Sequence, residues 1–94
     1  MFSIEVNNTG AIVMNGRFDA SQADRAREVF SRINESTVVD FGGVEYISSA
    51  GLGVLLATQQ RLNKEGKKLT LVKMNGLIRD VFRIARFDMI FKIE

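Results

Sequence analysis

The run Ser48-Ser49-Ala50-Gly51-Leu52-Gly53 holds the residues best placed to do chemistry. Two hydroxyls stand where a loop enters an apolar-periodic helix, so Ser48 or Ser49 is expected to cap that helix by accepting a first-turn N–H. The remaining free N–H groups of the turn, and the helix dipole, favour negative charge at this spot. Either serine is therefore a candidate phosphoryl acceptor, whose dianion would meet helix N–H groups. A serine nucleophile acting alone is poor, and no spacing recommends Lys68 or Lys73 as its base. Nucleotide binding through Gly51-Leu52-Gly53 is weakly supported: there is no G-x-G-x-x-G, no Walker lysine, and the glycines lie inside the helix. Those two glycines each cost the helix about 1 kcal/mol relative to alanine. Close packing on a strand, or a partner approaching the backbone, is expected to offset that cost.

Two absences narrow the chemistry further. The sequence has no His and no Cys, which removes Ser-His-Asp and Cys-His catalysis and any Cys/His metal site. It also removes disulfides, as suits a reducing cytoplasm. The acidic residues are scattered and form no D-x-[DN]-x-[DN]-G loop, so neither metal nor cofactor is expected. Net charge is 13 − 11 = +2. The last third, residues 64–94, is basic, and a solvated lysine-rich surface explains it better than an acidic partner does. With one Tyr and no Trp, the chain lacks the stacking aromatics of a nucleic-acid binder. No apolar run is long enough to insert in a membrane. Phe2, Ile4 and Val6 alternate with polar residues instead of forming a secretory leader.

These residues need a scaffold to position them. The 94 residues are 46% apolar and 26% charged, a composition that suits one globular domain spanning residues 1–94. Phe2 to Val6 reads as a strand, Asn7-Asn8-Thr9-Gly10 as a turn, and Ala11 to Met14 as the second strand of a hairpin. Gly16 to Ala20 breaks the pattern. Asp19 or Ser21 then caps a helix with Ala23, Ala26, Phe30 and Ile33 on its apolar stripe, and Glu35 among its polar positions. Thr37 to Phe41 reads as an interior strand and Gly42 to Ile47 as a connecting loop.

The serine-led helix carries Leu52, Leu55, Leu56 and Leu62 inward and stops at Gly66. Leu69 to Val72 is a strand. Asn75 caps a third helix with Leu77, Ile78, Val81, Phe82, Ile84 and Ala85 on its apolar side. Met89 to Ile93 is a closing strand. Met14, Met74 and Met89 read as core fillers, and Phe91 as the Phe residue that stays outside the core. Asp40 reads as a loop-stabilising acceptor. The order β-β-α-β-α-β-α-β implies an α/β fold: a mixed, largely parallel sheet with helices packed on one face.

The segment Val38-Val39-Asp40-Phe41 through Tyr46-Ile47-Ser48-Ser49-Ala50-Gly51-Leu52-Gly53-Val54 resembles the signature of STAS domains, in particular the bacterial anti-sigma factor antagonists. Gly16-Arg17-Phe18-Asp19 is similar to that family's G-x-[LF]-D, and Phe87 to Ile93 to its closing segment. The family motif is D-S-[ST]-G-L-G with the first Ser as phosphoacceptor. By position Ser49 is the acceptor, Ser48 stands in place of the Asp, and Ala50 replaces the second hydroxyl residue.

The resemblance implies a regulatory binding module, not an enzyme. Its partner would be an anti-sigma factor that is also a serine kinase of the GHKL type, released by phosphorylation and restored by a serine phosphatase. The partner-facing set is Asp19, Ser48, Ser49, Ala50, Gly51, Leu52, Gly53 and Val54. A non-phosphorylated STAS adaptor or scaffold in a transporter-associated or signalling complex is the alternative. Family members commonly continue into a final helix after the last strand. Its absence here would expose a sheet edge or apolar face and favour a homodimer.

Overall fold

Asn7 turns the chain first. Its side-chain oxygen accepts from the Thr9 N–H, the Thr9 hydroxyl and the Ala11 N–H, folding β1 (Ser3–Val6) back antiparallel on β2 (Ile12–Phe18). The computed structural model describes residues 1–94. After β2 come a short 3-10 turn (Ala20–Gln22), α1 (Ala23–Phe30), β3 (Thr37–Ile47), α2 (Ser49–Asn63), β4 (Leu69–Val72), α3 (Gly76–Ile84), a second 3-10 turn (Phe87–Met89) and β5 (Lys92–Ile93). The sheet order is β1-β2-β3-β4-β5, and every pairing after the first is parallel. Each parallel neighbour is reached through a helix, as parallel pairing requires. The mixed α/β architecture and its element order are those the sequence implies.

One face of the sheet carries the core. Ile12, Met14 and Phe18 of β2, Val39, Phe41, Val44 and Ile47 of β3, and Leu69 and Leu71 of β4 join the inner faces of the helices in a single apolar cluster. Phe82 is its hub on the α3 side. Its ring meets Phe41 edge-on at 6.0 Å, Phe91 at 5.7 Å and Phe87 at 6.3 Å between centroids, the offset geometries aromatic rings prefer. The opposite face is open to solvent and carries Glu5, Asn15, Arg17, Val38 and Tyr46.

Several local expectations give way to tertiary pairing. Gly42 to Ile47 is not a loop: β2 runs past Met14 to Phe18 and holds the far half of β3 as strand. From Ile12↔Val39 to Phe18↔Ile47, β2 advances 6 residues and β3 advances 8, so β3 carries two extra residues as bulges. Gly16 sits in this stretch at φ +89 with the Met1 carbonyl where a side chain would be, which only glycine tolerates.

α1 ends at Phe30, leaving Ile33 and Glu35 beyond it. The closing strand shrinks to Lys92–Ile93, and Met89 is 85% exposed. Phe91 is buried after all, packed on Phe82. Leu77 and Ile84 are 73% and 79% exposed, because Ile78 and Phe82 define the inward side of α3 and those two lie on its flank.

The two glycines of α2 have different reasons to be there. A Cβ on Gly51 would sit 3.1 Å from Ile47 Cγ1 and 3.2 Å from the Phe18 ring, whereas one on Gly53 would meet nothing within 4 Å. In Gly51→Ala the crowding of Ile47 and Phe18 should therefore cancel about 1 kcal/mol or more of the helix-propensity gain that alanine brings. Gly53→Ala should stabilise the domain by about 1 kcal/mol through helix propensity alone. Urea unfolding of both variants checks this, and equal gains for the two would contradict the packing.

Candidate functional site

Two sequence motifs meet where β2 and β3 end. The Ser48 N–H donates to the Phe18 carbonyl at 2.9 Å, so the residue before α2 is tied to the last residue of β2. Ser48 is extended, at φ −88 and ψ 167, and its hydroxyl accepts from the Gly51 N–H at 3.1 Å. Its carbonyl accepts from Leu52 N–H at 2.9 Å. Ser48 is thus the N-cap, with its hydroxyl oxygen occupied inside the fold. On the other side of the junction Asp19 caps the 3-10 turn, accepting from the Ser21 N–H at 3.1 Å and the Ser21 hydroxyl at 2.6 Å.

Ser49 is the first residue of α2. Its side chain is exposed, and it takes part in no side-chain hydrogen bond. Between the two serines the structure therefore distinguishes a half-buried capping hydroxyl from a free one. The free one opens on a helix N-terminus, where a phosphoryl group finds favourable electrostatics.

The surface around Ser49 is smaller than the sequence reading allows. At 3.6 residues per turn, Gly53 lies about 40° around the helix from Ser49, while Val54 lies about 140° away. Gly53 is exposed, with Ala57 and Gln60 continuing the same side. Val54 is 3% exposed and faces α1, so it leaves the partner-facing set. Gly51 leaves it too, being buried against Phe18 and Ile47. Ala50 and Leu52 are half-buried. What remains at the surface is Ser49 and Gly53, rimmed by Ala50, Leu52, Ser48 and Asp19. Ala57 and Gln60 are the additions, and helical spacing from Ser49 would have found them.

No pocket serves a small molecule here. The two clefts of the molecule, about 340 and 200 Å³, lie between α3 and β5 and between α1 and α2. No group of His, Cys, Asp or Glu gathers into a cation site, and no helix is long and apolar enough to cross a membrane. Asp40 lies away from the serines, accepting from Gly42 N–H at 2.8 Å and pairing with Lys73 at 3.5 Å. The arrangement is a surface without a pocket, carrying one exposed hydroxyl that no other side chain engages.

Asn75 keeps this end of the molecule together. Its side-chain oxygen caps α3 by accepting from Ile78 N–H at 2.9 Å, and its amide donates to the Val44 carbonyl at 3.2 Å. The bulged stretch of β3 that leads into Ser48 is thereby fixed from both neighbours.

Comparison with known proteins agrees with this geometry. The family model described as "Mlab, STAS domain" matches residues 5–93. A STAS-domain containing protein of Pseudomonas aeruginosa is 28% identical over 86 residues, covering 88% of this chain and 85% of that one. BtrV of Bordetella bronchiseptica, named for anti-sigma factor antagonism, is 32% identical over 82 residues, covering 87% of this chain and 70% of its own. Among solved structures, TM1081 of Thermotoga maritima superposes with a TM-score of 0.81 at 22% identity, covering 99% of this chain and 85% of that one. The anti-sigma factor antagonist SpoIIAA in its unphosphorylated form gives 0.72 at 17% identity, covering 100% and 87%. Its phosphorylated form, from Bacillus, gives 0.71 at 17% identity, covering 100% and 91%. The fold is common to all of these, and the match over residues 5–93 together with BtrV settles the lineage: the chain belongs to the STAS domain family of anti-sigma factor antagonists.

Proposed function

We propose that this chain is an anti-sigma factor antagonist of the partner-switching kind. Its partner is an anti-sigma factor that is also a GHKL-type serine kinase, and the complex is broken by phosphorylation of Ser49. One observation carries the reading: the Ser49 hydroxyl is exposed and unpartnered at the mouth of α2 while the Ser48 hydroxyl is occupied by the cap. The γ-phosphoryl group of ATP passes to Ser49 Oγ, the hydroxyl proton goes to a base on the kinase, and ADP leaves. The chain itself does no catalysis and needs no cofactor. A serine phosphatase reverses the step by hydrolysis. A partner that consumes ATP supports a cytoplasmic location.

The switch follows from charge at an interface. With Gly53 one turn below Ser49, a partner comes close to the helix backbone. Phosphate adds about 1.5 to 2 negative charges and three strongly solvated oxygens. The helix N-terminus tolerates them within the fold, whereas a docked surface must desolvate them. A hundredfold loss of affinity requires only about 2.7 kcal/mol.

A second reading is a non-phosphorylated adaptor or scaffold in a transporter-associated or signalling complex. Ser48 in the acidic position and Ala50 in the second hydroxyl position favour it, since both depart from the phosphorylated motif. The same docking surface serves either reading, and the modification state of Ser49 separates them.

Mixing the chain with its host's GHKL-type kinase and ATP should add one phosphoryl group, mapped to Ser49 by mass spectrometry. Ser49→Asp should weaken the complex about a hundredfold. Ser49→Ala should bind as wild type does and accept no phosphate. Ser48→Ala should cost about 1 kcal/mol of unfolding free energy through the lost cap and still allow Ser49 to be modified. Wild-type affinity in Ser49→Asp would refute the switch, and phosphate mapped to Ser48 would refute the assignment.

A further inference from the structure

The open face of the sheet carries a pair of side chains that neither folding nor the serine site explains. In the last rungs between β2 and β3, Gly16 lies opposite Val44 and Arg17 opposite Tyr46, so Glu45 is an extra residue in β3. Val44 and Ile47 both point into the core, and two consecutive residues between them, Glu45 and Tyr46, are exposed. Without the bulge, strict alternation would turn residue 46 inward. Bulges beside functional sites commonly re-aim a side chain in this way. The result is the chain's one Tyr, 39% exposed, with the Arg17 guanidinium carbon 4.4 Å from its ring centroid.

Arg17 is held but unsatisfied. Arg25, Arg27, Arg32, Arg61, Arg79 and Arg83 each donate to a backbone or carboxylate oxygen. Arg17, like Arg86, has no such acceptor and no carboxylate within 4.0 Å, and of the two only Arg17 lies over an aromatic ring. Asp19, two residues on, is engaged by Ser21. The guanidinium lies over the Tyr46 ring and its N–H donors keep no acceptor within the protein, so they are free to pair with a carboxylate brought by another molecule. The pair also lies close to the switch. Tyr46 precedes Ser49 by three residues, which puts their Cα atoms within about 11 Å.

We propose that Arg17 and Tyr46 form a second contact for the anti-sigma partner, receiving an Asp or Glu side chain of that protein. This rests on the partner-switching reading above. The partner then grips the end of the sheet from both sides, with Ser49 and Gly53 on the helical side and the Arg17–Tyr46 pair on the open face. Exposed Tyr and Arg are the residue types that most often dominate binding energy at interfaces. This contact contributes affinity and partner choice, while Ser49 contributes control.

The test titrates the purified GHKL-type kinase partner against wild type, Arg17→Glu, Arg17→Lys, Tyr46→Phe and Ser49→Asp. Arg17→Glu should weaken binding about tenfold or more, because it opposes a carboxylate with another. Arg17→Lys should fall between it and wild type, keeping charge without the planar fork. Tyr46→Phe, which retains the stacking ring, should bind within about twofold of wild type. Thermal midpoints of all four surface variants should match wild type, which separates lost contact from lost fold. Replacing the contacted partner carboxylate by Lys should restore binding to Arg17→Glu. Arg17→Glu binding like wild type while Ser49→Asp still breaks the complex overturns this inference and leaves the switch standing. The converse result overturns the switch and leaves the contact, and no complex with wild type overturns both.

Discussion

The hydrogen bond from Ser48 N–H to the Phe18 carbonyl is the constraint on which the rest of the site depends. It joins the end of β2 to the start of α2, and Gly51 reinforces it by lying directly against the Phe18 ring. A backbone bond between the last residue of β2 and the N-cap of α2 ties the start of the helix to the sheet, so the orientation of α2 is set where its first turn begins. Everything distinctive about the surface follows from that orientation. The cap hydroxyl turns inward to Gly51, the next hydroxyl turns outward, and the fourth residue beyond it is a glycine facing solvent.

Energetically the site is supported at a distance. Phe18 is fully buried and stacks on Phe2 at 5.0 Å between centroids. Removing such a ring typically costs about 3–5 kcal/mol, a large share of the stability expected for a domain of this size. The Phe41, Phe82, Phe87 and Phe91 group performs the corresponding task under α3, and Asn75 transmits it to Val44. Both ends of the bulged part of β3 are therefore clamped, one by aromatic packing and the other by side-chain hydrogen bonds.

Much of this was legible in the residues themselves, for reasons that can be named. Apolar spacing located all three helices, and Asn7, Ser48 and Asn75 act as turn or cap residues because their short polar side chains compete for backbone partners. The paired role of Ser48 and Ser49 was visible as two candidates, but only the chain's path decides which hydroxyl turns inward. What stayed hidden was tertiary. Gly42 and Gly43 carry loop chemistry, yet pairing with β2 makes them strand. Val54 looks available on an apolar list and is sealed against α1. Leu77 and Ile84 fit the periodicity of an inner face, but Ile78 and Phe82 claim it. Phe91 near the chain end is expected outside and is drawn in by the rings of Phe82 and Phe87. The bulge at Glu45, which turns Tyr46 outward, leaves no mark in the local sequence.

The junction between Phe18 and Ser48 is made of main-chain atoms, and this separates position from identity. Side chains at the exposed positions 49, 53 and 57 can be exchanged without shifting the scaffold that presents them, since none of them holds it in place. Duplicated copies of such a gene could therefore drift apart in the surface they show while keeping the same frame. Several insulated signalling pairs, each deaf to the others, can in this way be built in one cell from a single architecture.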